Sequence, residues 1–169
     1  MISWRSGFSP KPQGREQPAQ NQTPAHQHVR FLEEELHDYS RFRKLTWQDY
    51  STDRTARRDA ERWIENLVNS TIDIARLILG AEGRPIPTTY RETVTTPGLV
   101  AGFQCETAAS RSNRVSLRNV LSREYLDVKW AAIKKFIGEA EPSCQDLVKS
   151  TKAYLERNLH AGESTDGGR

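Results

Sequence analysis

Apolar residues recur at helical spacing along most of the chain. Leu32, Leu36, Tyr39 and Phe42 mark one face of an amphipathic segment that stops near residues 44–45. Thr46, followed three residues on by Asp49, has the form of a capping box and predicts a short helix through Tyr50. Residues 53–79 contain no Gly or Pro. Ala60, Ile64, Leu67, Thr71, Ile74, Ala75 and Ile78 fall there on one largely apolar stripe, which predicts a long helix ended by Gly80 and Gly83. Pro85 and Pro87 then favour an extended connector, because each proline disfavours helix at the residue before it. Thr89 with Glu92 predicts another capped start at Tyr90, interrupted by Pro97 and Gly98. Residues 106–125 again lack Gly and Pro, with Ala108, Val115 and Leu126 on or near one face. Asp127 stands where it would cap the next helix, in which Trp130, Ile133, Ile137 and Ala140 repeat, and Pro142 predicts a kink or restart before Leu147, Val148, Tyr154 and Leu155. No alternating strand pattern, internal repeat or Gly-rich phosphate loop competes with this reading. The expected fold is all-α, an up-down bundle of four or five helices.

Composition sets the boundaries. From Ser6 to His28 the chain is rich in Pro, Gln, Gly and Asn, with almost no branched aliphatics, so it buries too little apolar surface to offset its ordering entropy. The expected organisation is a disordered tail at residues 1–29, a helical domain at 30–158 and a flexible tail at 159–169. The net charge of +3 sits entirely in residues 1–30, which hold Arg5, Lys11, Arg15 and Arg30 against Glu16; the remainder balances 21 basic with 21 acidic residues. A neutral body argues against coating duplex nucleic acid, although a local basic stripe remains open. Cys105 and Cys144 form neither a CxxC pair nor a disulfide framework and read as small buried hydrophobes. No run is long and apolar enough for a bilayer span and the start lacks the apolar core of a signal peptide, so no membrane partner and a cytoplasmic location are expected. His26 and His28, an HxH pair in the tail, make a weak metal site, and no metal or cofactor is called for.

One polar constellation stands out. On an ideal helix Arg111, Arg114, Arg118, Ser122 and Tyr125 fall within an arc of about 80°. Three guanidiniums ending in a hydroxyl and a phenol suit a phosphate track with a stacking ring, the combination that holds single-stranded RNA. The same stripe also reads as a solvated face, salt-bridged to neighbours such as Glu65 or Asp73. Trp63, Trp130 and Phe136 read as core, and Trp47 as interface or core. Asn66, Asn69 and Asp73 read either as partners that orient Arg118 or as ordinary hydrogen-bonded helix polar groups.

The run from Arg118 and Asn119 through Arg123 to Tyr125, Leu126 and Asp127 resembles the signature of HepT-like proteins, the toxin branch of the HEPN superfamily: Arg, Asn, three residues, His, one residue, Tyr. Other stretches agree in order and spacing. They are Asp49 with Tyr50; Asp53 and Arg54 with Arg57; residues 61–67; residues 72–75; Ile86 and Pro87 with residues 89–92; and residues 125–130. The resemblance covers roughly residues 31–157. It implies an all-α homodimer in which two copies of the motif line one cleft, with metal-independent endoribonuclease activity on RNA. It also implies a nucleotidyltransferase-type antitoxin partner that transfers AMP to the motif tyrosine. By alignment the motif arginine is Arg118, the adjacent polar residue Asn119 and the AMPylated tyrosine Tyr125; a buried core ring is the competing reading of Tyr125.

The chain departs from the signature at the histidine, which here is Arg123. Metal-independent cleavage needs a group to take the 2′-hydroxyl proton and one to protonate the leaving 5′-oxygen. Imidazole does either near neutral pH, whereas a guanidinium with a pKa above about 12 stays protonated. Arg123 retains only the capacity to neutralise the scissile phosphate. No other histidine obviously replaces it: His26 and His28 fall in the tail, His37 in the first helix and His160 at the frayed end. Five residues also turn an ideal helix by about 500°, leaving Arg118 and Arg123 roughly 140° apart unless the helix ends or a two-fold partner supplies one of them. Three readings follow: an attenuated HepT-like toxin, a catalytically inactive HEPN module that binds RNA or a nucleotidyltransferase, and a helical scaffold without an RNA role.

Overall fold

The computed structural model describes residues 23–99 and 125–163, and every regular element among them is helical. They are α1 (Pro24–His37), α2 (Tyr39–Arg43), α3 (Trp47–Thr52), α4 (Arg54–Ala81), α5 (Tyr90–Thr95), a 3₁₀ turn (Thr96–Leu99) and α6 (Leu126–Glu163). The all-α expectation holds. The described residues carry six α-helices, and α2, α3 and α5 have only five or six residues each.

Local chemistry sets most boundaries. Thr46 and Asp49 close a reciprocal capping box at the start of α3, and the hydrogen bonds from Thr46 hold the Asp49 carboxyl below its ordinary pKa. Asp53 caps α4 by accepting from the Thr55 and Ala56 amides at 2.8 and 3.2 Å. Arg57 reaches back from α4 and donates to the Tyr50 and Ser51 carbonyls at 3.0 and 3.3 Å, satisfying acceptors left over at the end of α3. Gly83 ends α4 with φ +62°, while the Gly83 amide donates to the Gly80 carbonyl and the Arg84 amide to that of Leu79. That is a Schellman motif, and its left-handed residue is the glycine that a side chain would strain.

Four expectations are corrected. Helix α1 begins at Pro24, so residues 24–28, read from composition as tail, are helical. Thr23 followed by proline at the first helical position is a helix start, and Val29, 3% exposed, extends the apolar stripe of Leu32 one turn upstream. Helix α6 starts at Leu126, so Asp127 lies inside its first turn and Tyr125 precedes it; the Lys129 amide donates to the Tyr125 carbonyl at 3.1 Å. It also runs without restart through Pro142 and on to Glu163, past the point where composition places the C-terminal tail. Pro142 forfeits one bond, to the carbonyl of Gly138. Packing of Ile133, Ile137, Ala140, Leu147 and Tyr154 along one face outweighs that loss.

The helix directions follow from which ends meet. Glu61 and Lys129 join the beginnings of α4 and α6, and Glu82 accepts a hydrogen bond from Tyr154 further along both. Helices α4 and α6 therefore run parallel. Helix α1 opposes them: Glu35 meets Trp63 and Asn66, whereas the earlier His28 meets the later Asp73. The core lies between α1, α4 and α6 and centres on Trp63, which is stacked on Phe42 at 4.4 Å and edge-on to Tyr39 at 5.1 Å and Phe136 at 6.4 Å.

Candidate functional site

Of the residues singled out from sequence, Arg111, Arg114, Arg118, Asn119 and Arg123 lie outside the described residues, as does Cys105. Tyr125 is described. It stands immediately before α6 and is 76% exposed, so it is not a core ring. The α6 start that carries it is anchored firmly. Glu61 accepts from the Tyr50 hydroxyl at 2.6 Å and from Lys129 Nζ at 3.3 Å, tying α3, α4 and α6 at one point. Burial and the Glu61 bond together raise the Tyr50 pKa, so this phenol stays protonated and donating. Trp130 lies 5.3 Å from Tyr50 and 6.0 Å from Trp47, with Lys134 over its ring. Trp47 itself is 40% exposed, and Val128 beside Tyr125 is also exposed. The tyrosine thus projects from a rigid platform of aromatic and ionic contacts.

A second feature lies along the α1–α4 seam. A cleft of about 280 Å³ is lined by Gln27, His28 and Phe31 of α1 and by Asn66, Asn69, Ser70 and Asp73 of α4. The four α4 positions occupy an arc of about 100° on the side away from the Ile64, Leu67 and Ile74 core stripe. Of the two readings of the polar trio, Asn66 has a defined structural bond: its Nδ2 donates to Glu35 Oε1 at 2.8 Å. Glu35 also receives Trp63 Nε1 on its carbonyl at 2.8 Å, and burial raises the pKa of its carboxyl despite the opposing bond from Asn66. Asp73 pairs with Arg76 through Oδ1 at 3.6 Å and faces His28 Nδ1 through Oδ2 at 4.0 Å.

Composition places His28 in the tail, whereas it sits on α1 at the cleft; the sequence signals for that are the Thr23–Pro24 start and the position of Val29 one turn before Leu32. His26, by contrast, meets the Thr23 hydroxyl at the helix start. Among the described residues no group of three or more His, Cys, Asp and Glu side chains could hold a metal ion, and no helix is long and apolar enough to cross a membrane.

No curated protein matches the chain. The model of the family described as Ribonuclease HepT-like matches residues 32–151, reaching from within α1 through α4 into α6, and the chain belongs to that family.

Proposed function

We propose that this protein is a HepT-like HEPN toxin component that cleaves single-stranded RNA without a metal, with its rate attenuated by Arg123. The observation that carries the reading is the family match over most of the chain, which encloses the run from Arg118 to Tyr125. In the proposed reaction the 2′-oxygen of a ribose attacks the adjacent phosphorus and the bond to O5′ breaks. Arg118 and Arg123 supply positive charge to the phosphate, Asn119 a polar contact, and Arg111 and Arg114 hold flanking phosphates. The test is incubation of a single-stranded RNA with the protein in chelator, with slow cleavage expected and complete inertness at high enzyme concentration against it. The inactive binding module is the second reading, favoured by one feature, the arginine at the histidine position.

A two-fold cleft is part of the proposal. Three arginines on one stripe are most easily neutralised by a ligand or a second copy, and a homodimer brings two motifs to one groove. Light scattering should return twice the 19.3 kDa of the chain at micromolar concentration. A clean monomer would remove the shared cleft.

Regulation is assigned to Tyr125. A nucleotidyltransferase needs an accessible acceptor hydroxyl, and a side chain 76% exposed ahead of an anchored helix meets that need. Adenylylation would place a phosphate and a base beside the arginine stripe, where both compete with RNA. Co-expression with a nucleotidyltransferase and ATP should add one AMP to the intact mass, mapped to Tyr125 and lost in Tyr125→Phe. Modification elsewhere, or none with an enzyme active on another HepT-like protein, removes this role.

A further inference from the structure

Exposed apolar side chains gather at one end of the bundle. Among the described residues five large ones are exposed, and three of them, Trp47, Tyr125 and Val128, stand at the starts of α3 and α6. Tyr125 is the last residue of the motif, and Trp130 lies five residues further on, about 7.5 Å along the helix. Trp47 leans on the Trp130 ring at 6.0 Å with the planes 50° apart, and on Tyr50 at 6.3 Å with 32° between them. Tyr50 is buried and bonded to Glu61, so the support beneath Trp47 is fixed while 40% of Trp47 meets solvent. An indole gains more than most side chains from being covered, and a half-open one on a rigid base offers a ring to a ligand.

The charge beside that ring is positive. Lys134 Nζ sits 5.3 Å over Trp130 and donates to the Leu45 carbonyl at 3.4 Å, which leaves ammonium protons for another acceptor. Lys44, next to Leu45 in the chain, is exposed as well, and among the described residues neither lysine has a carboxylate within 4.0 Å. Asp49 is occupied by the capping box, Glu61 by Lys129 and Glu141 by Arg43, and Asp127 lies about 10 Å of helix before Lys134. An open aromatic ring with unmatched cations around it suits a single-stranded polyanion, whose bases stack while its phosphates meet the charges. An apolar protein patch would cover the ring and leave the lysines unmatched.

We propose that Trp47 stacks on a base of bound single-stranded RNA beside the motif, with Lys134 and Lys44 on the phosphates that flank it. The assignment rests on the RNA reading above and adds no chemical step: the reacting ribose stays at the motif, and Trp47 holds a neighbouring nucleotide. Every base has a stacking face, so the platform contributes affinity and orientation without selecting a sequence.

The experiment uses the full chain and a labelled single-stranded RNA carrying 2′-O-methyl groups, which cannot cyclise, so binding is read apart from cleavage. Saturating RNA should quench tryptophan fluorescence of the wild type. Trp47→Ala should weaken binding by about 5- to 150-fold and remove most of the quenching, whereas Trp47→Phe should keep most of the affinity. Lys134→Gln should make the slope of log K against log salt shallower by about 0.7. Circular dichroism checks that each variant is folded, and Trp47→Phe and Lys134→Gln retain a test if alanine disturbs α3. A folded Trp47→Ala that binds RNA like the wild type overturns the platform and leaves the ribonuclease reading in place; if that variant instead becomes a monomer or loses AMP addition, the surface is a protein contact. A wild type that binds with quenching but cuts no unmodified RNA supports the platform and overturns the ribonuclease reading. A wild type that binds no RNA overturns both.

Discussion

Replacing Arg123 with histidine should raise metal-free cleavage of single-stranded RNA by about 10²–10⁴-fold, the usual contribution of one positioned acid–base group. That factor corresponds to roughly 2.7–5.5 kcal/mol of barrier. The guanidinium at this position keeps its proton at any accessible pH, so it neutralises charge but can neither accept the 2′ proton nor give one to O5′. Imidazole titrates in the working range and does either. The other motif residues, Arg118, Asn119 and Tyr125, stand at their expected spacing, so a single side chain separates this chain from the family pattern. The measurement is the initial rate on one labelled RNA in chelator, wild type against Arg123→His. Equal rates would mean that Arg123 does not disable the site. Inertness of both proteins would move the deficit elsewhere in the motif.

The elements legible in the sequence were those whose boundaries are set by neighbours in the chain. Thr46 with Asp49, Asp53, Thr89 with Glu92 and the left-handed Gly83 all act within five residues, so residue type and spacing suffice to read them. Asp53 and Asp49, which carry part of the family resemblance, turn out to be caps of this kind, and Arg57 closes the end of α3 from six and seven residues away. The misjudged features depend on distant partners. The first turn of α1 is polar in composition and becomes helical against α4, where Asp73 faces a histidine 45 positions away in the chain. Pro142 looks like a break until the buried face on both sides of it is seen to be continuous. The site divides in the same way. The motif spacing singles out Arg118, Asn119, Arg123 and Tyr125 as candidates, but no local pattern announces that His28 shares a cleft with Asn66 and Asp73, because α1 and α4 meet only in the packed bundle.

Trp63→Ala should be the most destabilising single substitution of those considered, at about 3–5 kcal/mol, a large share of the 5–15 kcal/mol available to a domain of this kind. Trp63 is 3% exposed and touches three other helices: α1 through the bond from its Nε1 to the Glu35 carbonyl, α2 through Tyr39 and Phe42, and α6 through Phe136. Alanine leaves a cavity that these rings cannot fill without moving their own helices, so both the transfer and the cavity penalties apply. The expected fall in melting temperature is about 6–20 °C for a chain of this size. Trp47→Ala is the control: that ring is 40% exposed on the α3 surface, and its loss should cost under about 1.5 kcal/mol. Trp63→Phe keeps most of the ring volume and loses the Nε1 bond, so it should fall between the two. The same contact sets the register of α1 on α4, since Glu35 also receives Asn66 one turn further along. If Trp63→Ala melts within a few degrees of the wild type, the tryptophan is not what holds α1 in place, and the cleft geometry must be maintained by other contacts along the seam.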